Sequence, residues 1–417
     1  MKKSLLKLGV CALALLSIQT ISISCSDSDN KGGGDIDPSE YELKGELTSD
    51  RTLEAGKTYS LVGGYQVKEG ATLTIEEGVT IKATRTIDGQ PDYILIEQGG
   101  KINAMGTKNQ PIVMTSVKEE PKTWGGIHIC GKAPINLMGG TGKSEIGNAT
   151  FGGSDATDNS GTLRYVRLEY TGFAFDEDTE SNGLTMYGVG NGTTIEYVQV
   201  YKGGDDGFEW FGGTVNAKYL VSTASEDDSF DWTDGWVGKG QFWVAIQDQT
   251  APGADGSANG DCLIEADNRE NNVSNTPISS PTLSNLTLVG NNDTNGNKRA
   301  IRLRAGTHIK LYNTLVVGKP NSVTTATAQT EQSFIDGTSV IEYLHADHGF
   351  TYENGAALAL ETKEGNAIDQ TISFTGGYIG TIAGGKDLSS DSFFTKAEYK
   401  GAVPADNDWT AGWTKKL

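Results

Sequence analysis

From about Tyr41 onward the chain is written in short runs in which apolar and polar residues alternate, broken by Gly, Asn and Asp. Ala71-Thr72-Leu73-Thr74-Ile75, Val79-Thr80-Ile81, Tyr93-Ile94-Leu95-Ile96 and Pro111-Ile112-Val113-Met114-Thr115 are examples. A period of two places every second side chain on one face, so each run predicts a short strand with one buried side. No stretch of the body carries a long amphipathic helical period, and the pattern predicts an all-β protein.

The runs also repeat. Asp205-Asp206-Gly207-Phe208-Glu209-Trp210 returns as Asp227-Asp228-Ser229-Phe230-Asp231-Trp232, and Glu196-Tyr197-Val198 returns at the same offset as Lys218-Tyr219-Leu220. Arg164-Tyr165-Val166, Ser284-Asn285-Leu286 and Tyr312-Asn313-Thr314 are relatives of the second unit. A repeat of about 22 residues signals a solenoid whose units bury their apolar faces only against one another. Leucine-rich repeats need a fixed Leu/Asn spacing and propeller blades need about twice this period, and a sandwich keeps no such register. Three short strands per turn fit a right-handed parallel β-helix. Irregular stretches at 136–160, 247–281 and 320–335 read as loops projecting from it, and the repeat is less regular from about residue 336.

The text resembles the pectate-lyase-like β-helix superfold and, more narrowly, β-helical surface lipoproteins of Bacteroidota. The resemblance rests on Leu73-Thr74-Ile75-Glu76-Glu77-Gly78-Val79-Thr80-Ile81, Trp124-Gly125-Gly126-Ile127, the Asp-Asp-Gly-Phe-Glu-Trp unit and the terminal Asp408-Trp409-Thr410-Ala411-Gly412-Trp413. It implies the fold and brings no activity with it.

The N-terminus supplies an expected address. Lys2, Lys3 and Lys7 precede a mostly apolar Leu8–Ile23, which reads as a signal peptide over residues 1–24. Ser22-Ile23-Ser24-Cys25 resembles a lipobox, with Ser22 where that pattern usually has Leu. Cys25 is then the lipidation site, bearing acyl chains such as palmitate, and residues 25–40 are a flexible tether. The acidic Ser26–Asn30 stretch resembles the surface-export signal of Bacteroidota lipoproteins, so the expected location is the cell surface, on the outer membrane. The β-helix occupies 41–417.

Composition narrows the partners. The 417 residues include 55 glycines but only 10 prolines and carry a net charge of −20. Glycine without a three-residue period excludes collagen, and so acidic a surface repels phosphate backbones, which excludes nucleic acid as the expected partner. Cys130 and Cys262 form at most one bridge, and small buried core residues are the simpler reading.

Aligned strands allow one face to be read. In Gly183-Leu184-Thr185-Met186, Gly207-Phe208-Glu209-Trp210, Ser229-Phe230-Asp231-Trp232, Leu263-Ile264-Glu265-Ala266 and Ala300-Ile301-Arg302-Leu303, the second and fourth residues are apolar and the third polar. The expectation is a core of Phe208, Trp210, Phe230 and Trp232. Outside it runs an exposed ladder of Thr185, Glu209, Asp231, Glu265 and Arg302, with His128 joining from Gly125-Gly126-Ile127-His128-Ile129. Carboxylates at strand spacing repel unless something offsets them. Asp205, Asp206, Asp227 and Asp228 stand at the turns before these strands, and so many oxygens suit Ca²⁺ better than zinc. The competing reading is that these acids cap coil corners through side-chain hydrogen bonds. Trp236 and Trp243 are the tryptophans expected to be exposed as sugar platforms.

Two functions remain. One is a non-catalytic binding or adhesion module for a glycan or a surface protein, assisted by Ca²⁺, with Glu209, Asp231, Glu265, Arg302, Trp236 and Trp243 as contacts. The alternative is a polysaccharide lyase or glycoside hydrolase acting on acidic glycans, with Glu209, Asp231 and Arg302 as its working groups. No Asn-Thr-Asp, His-Gly-x-Gly or Arg-Ile-Lys unit of those enzymes is present.

Overall fold

A computed structural model describes residues 38–84, 91–174, 181–249 and 260–417. The signal segment, Cys25 and most of the tether lie outside the described residues.

Twenty-three of the strands form one continuous hydrogen-bonded system, and every pairing within it is parallel. The chain coils so that each strand pairs with its equivalent one turn later, giving three sheets around one apolar interior. The first sheet contains Ile127–Cys130, Leu184–Tyr187, Phe208–Phe211, Phe230–Thr233, Ile264–Ala266 and Arg299–Leu303 in that order. The second and third sheets share long strands such as Thr194–Tyr201, Asn216–Thr223, Lys239–Ile246 and Thr282–Val289.

Each long strand is bent by one left-handed residue. Tyr165, Tyr197, Tyr219, Phe242, Asn285, Asn313 and Tyr343 all have φ between 51° and 60°. This conformation costs an L-residue about 1–2 kcal/mol. Stacking offsets it here: the Tyr165–Tyr197, Tyr197–Tyr219 and Tyr219–Phe242 ring centres lie 4.4, 4.2 and 5.0 Å apart. The repeat units read from the sequence around Tyr165, Tyr197, Tyr219, Asn285 and Asn313 are therefore the bends of successive coils.

Phe208, Trp210, Phe230 and Trp232 lie inside as expected, in register as Phe208↔Phe230 and Trp210↔Trp232. Trp236 and Trp243 correct the expectation of exposure, since both are completely buried in the same core. Trp243 follows the left-handed Phe242, which turns it inward into the column of Leu220 and Leu286. Trp236 reaches in from a turn to stack 4.7 Å from Trp210. Their indole N–H groups donate to Val215 and Ala217 carbonyls, so neither offers a sugar platform.

Two of the stretches read as loops are built into the fold. The stretch 136–160, expected to project, instead folds back over the first sheet as part of a flap containing the hairpin Gly142–Lys143/Thr150–Phe151. Ile135, Ala149 and Phe151 of the flap bury Leu95, Cys130 and Tyr187. Residues 320–335, also expected as a loop, include the coil strand Asn321–Thr325 and the helix Ala328–Ile335. The solenoid continues through Val340–Ala346 and Phe350–Tyr352. Leu358 and Leu360 then plug the end of the core.

The remaining C-terminal segment runs back along the outside of the third sheet. It builds a second core of Val221, Phe242, Val244, Val289, Tyr378, Ala402, Val403, Trp409 and Trp413. Amides near the bends dock its backbone: Gln199 with Lys415, Gln241 with Thr395 and Asn313 with Lys386 each exchange two hydrogen bonds of 2.7–2.9 Å.

Candidate functional site

The outward column of the first sheet is the ladder read from the sequence. Backbone pairing places His128↔Thr185, Thr185↔Glu209, Glu209↔Asp231, Asp231↔Glu265 and Glu265↔Arg302 on adjacent rungs. The expected exposure is not found. Thr185 and His128 are fully buried and Glu209 is 9% exposed. The flap and the segment before Leu184 account for this: Glu145 of the flap accepts from the Tyr187 hydroxyl at 2.9 Å, and Asn182 donates to Glu209.

The ladder has two halves with different electrostatics. Glu265 is gripped by Arg302 at 2.8 Å and Arg304 at 2.6 Å, and Arg304 also holds Asp267 at 2.7 Å. Burial lowers the pKa of Arg302, but Glu265 more than reverses this, so its proton is held more tightly than in water. That is the wrong direction for a base. Burial raises Asp267 to about 7 despite Arg304.

The other half is mostly acidic, with Lys298 paired to Asp261 at 2.8 Å. Asp206, Glu209 and Asp231 each place a carboxylate oxygen within 4.8 Å of the others. Asp205, Asp206 and Asp227 form a second such group, Asp227, Asp228 and Asp261 a third, and Asp228, Glu265 and the Cys262 thiol a fourth. The corner acids and the ladder acids, separate in the sequence reading, thus form one connected cluster. Its members come from three successive coils because the repeat delivers the same acids to the same corner each turn. Asp227 is its exposed member.

Corner capping is also real. Asp206 accepts the Asp228 N–H at 2.9 Å, and Asp228 accepts the Cys262 N–H at 2.5 Å, so each acid ties its corner to the next coil. These bonds use one oxygen of each. Asp231 is different: its Oδ1 is buried and has no hydrogen-bond partner.

Burial is the leading cause that pushes Asp206, Glu209, Asp228 and Asp231 well above the usual carboxylate range, with like charge next. The like charge on Asp206 comes from Asp205, on Glu209 from Glu145 and on Asp231 from Glu265. A donor set of carboxylate oxygens, one of them buried and orphaned, fits a hard divalent cation such as Ca²⁺. Burial and neighbouring acids raise the Cys262 thiol well above its ordinary value, so it is a protonated wall rather than a soft ligand. Arg304, two residues beyond Arg302 on the same face, was legible in the sequence; Asp261, Asp267 and Glu145 were missed.

A parallel β-helix with an acid-lined corner and a covered outer sheet defines the class of protein. The chain belongs to the pectate-lyase-like β-helix domain family, which it matches over residues 45–414. No curated protein and no solved structure matches it.

Proposed function

We propose that the protein is a cell-surface binding module, anchored through lipidated Cys25 to the outer membrane, that holds an acidic glycan through Ca²⁺ at the corner cluster. The orphaned Asp231 Oδ1 beside Asp206 and Glu209 carries this reading. A bound cation relieves both the unsatisfied oxygen and the like-charge repulsion. Asp227, at the exposed edge, leaves room for a carboxylate of the ligand to complete the coordination of a cation that takes 6–8 oxygens. The family is consistent with a carbohydrate-directed role. Binding is favoured over turnover because Arg302 is committed to Glu265, while Glu209 lies under Asn182 with no open approach for a glycosidic bond.

The test is a glycan-array screen with and without Ca²⁺, paired with reducing-end and unsaturated-product assays. Saturable, Ca²⁺-dependent binding of acidic glycans without product supports the proposal. Product formation assigns an enzyme, and Ca²⁺-independent capture of a surface protein assigns an adhesin. For the anchor, Cys25→Ala releases the protein from the membrane fraction, and retention there refutes lipidation.

A further inference from the structure

The C-terminal segment leaves a groove of about 600 Å³ along one margin of the third sheet, on the strands that lead into the acidic corner. That volume is in the range of small-molecule sites. Val221, Ile246 and Val289 of the sheet and Tyr378 of the segment give it an apolar lining. Lys202, Lys415 and Lys416 stand on it against one acidic side chain, Asp248, in a protein whose net charge is −20.

The lysines are not equivalent. Lys415 is committed to Glu169 at 3.2 Å and the Tyr170 hydroxyl at 2.9 Å. Lys202 and Lys416 have no carboxylate within ion-pair distance among the described residues. Each lies over an aromatic ring instead, Lys202 at 5.7 Å from Tyr201 and Lys416 at 5.8 Å from Tyr378. An independent observation comes from Gln247 in the wall. It is fully buried, its Nε2 makes long bonds to the Asp261 and Cys262 carbonyls at 3.3 and 3.4 Å, and its Oε1 has no partner. A buried acceptor without a donor is costly, and a ligand hydroxyl supplies the donor.

We propose that this groove binds a small amphipathic hydroxy acid. The apolar body lies on Val221, Ile246, Val289 and Tyr378, the carboxylate meets Lys202 and Lys416, and a hydroxyl donates to Gln247 Oε1. The site shares a wall with the cation cluster, through the Gln247 bonds to the Asp261 and Cys262 carbonyls, but uses none of its carboxylates as ligand contacts.

The experiment uses the full chain and the fluorescent anion anilinonaphthalene sulfonate, displaced by dodecanoate, by hydroxydodecanoates with the hydroxyl at different carbons, and by dodecanol. The acids should displace the dye about tenfold better than the alcohol, and at least one hydroxy acid should outcompete dodecanoate. Lys202→Gln/Lys416→Gln, at the rim, should weaken the acids about tenfold and leave dodecanol unchanged. Ile246→Trp should fill the groove and abolish displacement; if that variant does not fold, the lysine pair carries the test. Equal affinity for acid and alcohol, or acid binding insensitive to the lysine pair, overturns the proposal. EDTA leaves this binding unchanged while removing the cation-dependent one, so the two sites fail separately.

Discussion

Asp231→Asn tests the acidic cluster most directly, because it removes one charge while keeping the side chain's shape. With carboxylate oxygens of Asp206, Glu209 and Asp231 within 4.8 Å of one another, two ionised members repel by about 3.5 kcal/mol at an effective dielectric of 20. The protein without cation avoids part of this by holding protons, as the raised pKa values of all three acids state. A carboxylate whose folded pKa is raised contributes stability that is complete below its unfolded value, about 3.9 for Asp. That contribution is lost as pH rises towards and through the folded value, at up to about 1.4 kcal/mol per pH unit. Asparagine has no such loss. In EDTA, Asp231→Asn should therefore match wild type near pH 4 and exceed it by about 1–3 kcal/mol at pH 8, read by denaturant melts at both pH values. Millimolar Ca²⁺ should close or reverse that gap at pH 8, adding about 2.7 kcal/mol to wild type if the concentration is 100 times Kd, and nothing to the variant. A variant less stable than wild type by the same amount at both pH values, with no Ca²⁺ response in either protein, would refute the reasoning.

Trp232→Ala should cost about 3–5 kcal/mol in a denaturant melt, because Trp232 is fully buried between coils; a loss below about 1 kcal/mol would contradict the stacked core. Trp413→Ala should cost a similar amount and speed proteolysis within the C-terminal segment before the solenoid is cut, since Trp413 sits edge-on at 5.7 Å from Tyr165 and 6.1 Å from Tyr197. His128, lowered to about 4 by burial against the opposing bond to the Gly125 carbonyl, should stay neutral in an NMR titration down to that pH. Its sign is opposite to that of the raised carboxylates. Protonation favours the unfolded chain, so the stability from neutral His128 is present above its unfolded pKa of about 6.5 and is lost as pH falls towards 4. A midpoint near 6.5 would mean that the flap does not seal it.

The coil register was legible because it is a property of spacing. The same six-residue unit returning at one offset placed Phe208 on Phe230, Trp210 on Trp232 and Glu209 on Asp231 without any coordinates. What was not legible is whatever lies over the outer faces. Alternation tells which side of a strand points away from the axis, but not whether a distant segment covers that side. Thr185, His128 and Glu209 point outward and are nevertheless buried, because the flap and the segment before Leu184 lie over this column. A signal for the third sheet did exist. Trp243-Val244-Ala245-Ile246 and Leu286-Thr287-Leu288-Val289 are near-continuous apolar runs, as strands covered on both faces should be. Trp243 was misplaced for a related reason: a single left-handed residue, Phe242, resets the inside–outside phase, and phase arguments do not cross such a bend, while Trp236 enters the core from the turn at the left-handed Asp234 and Gly235.

The covered faces also determine where a large ligand can be met. The C-terminal segment seals much of the third sheet's outer side, and the flap seals the first sheet from Leu95 to Phe211. The second sheet presents Thr162, Arg164, Thr194, Glu196, Lys218 and Lys310, a mixed-charge surface whose ion pairs, such as Arg164–Glu196 at 3.9 Å, are solvent-exposed and worth little. The corner between the third and first sheets differs in kind. There the coil repeat stacks acids turn upon turn, with Lys298 paired to Asp261 and with Arg302 and Arg304 spent on Glu265, Asp267 and Glu270. Selection for stability alone would favour asparagine at such corners, since it caps turns without charge. At Asp206, Asp228 and Asp231 burial raises the cost of each ionisation, and the proposed cation would offset it.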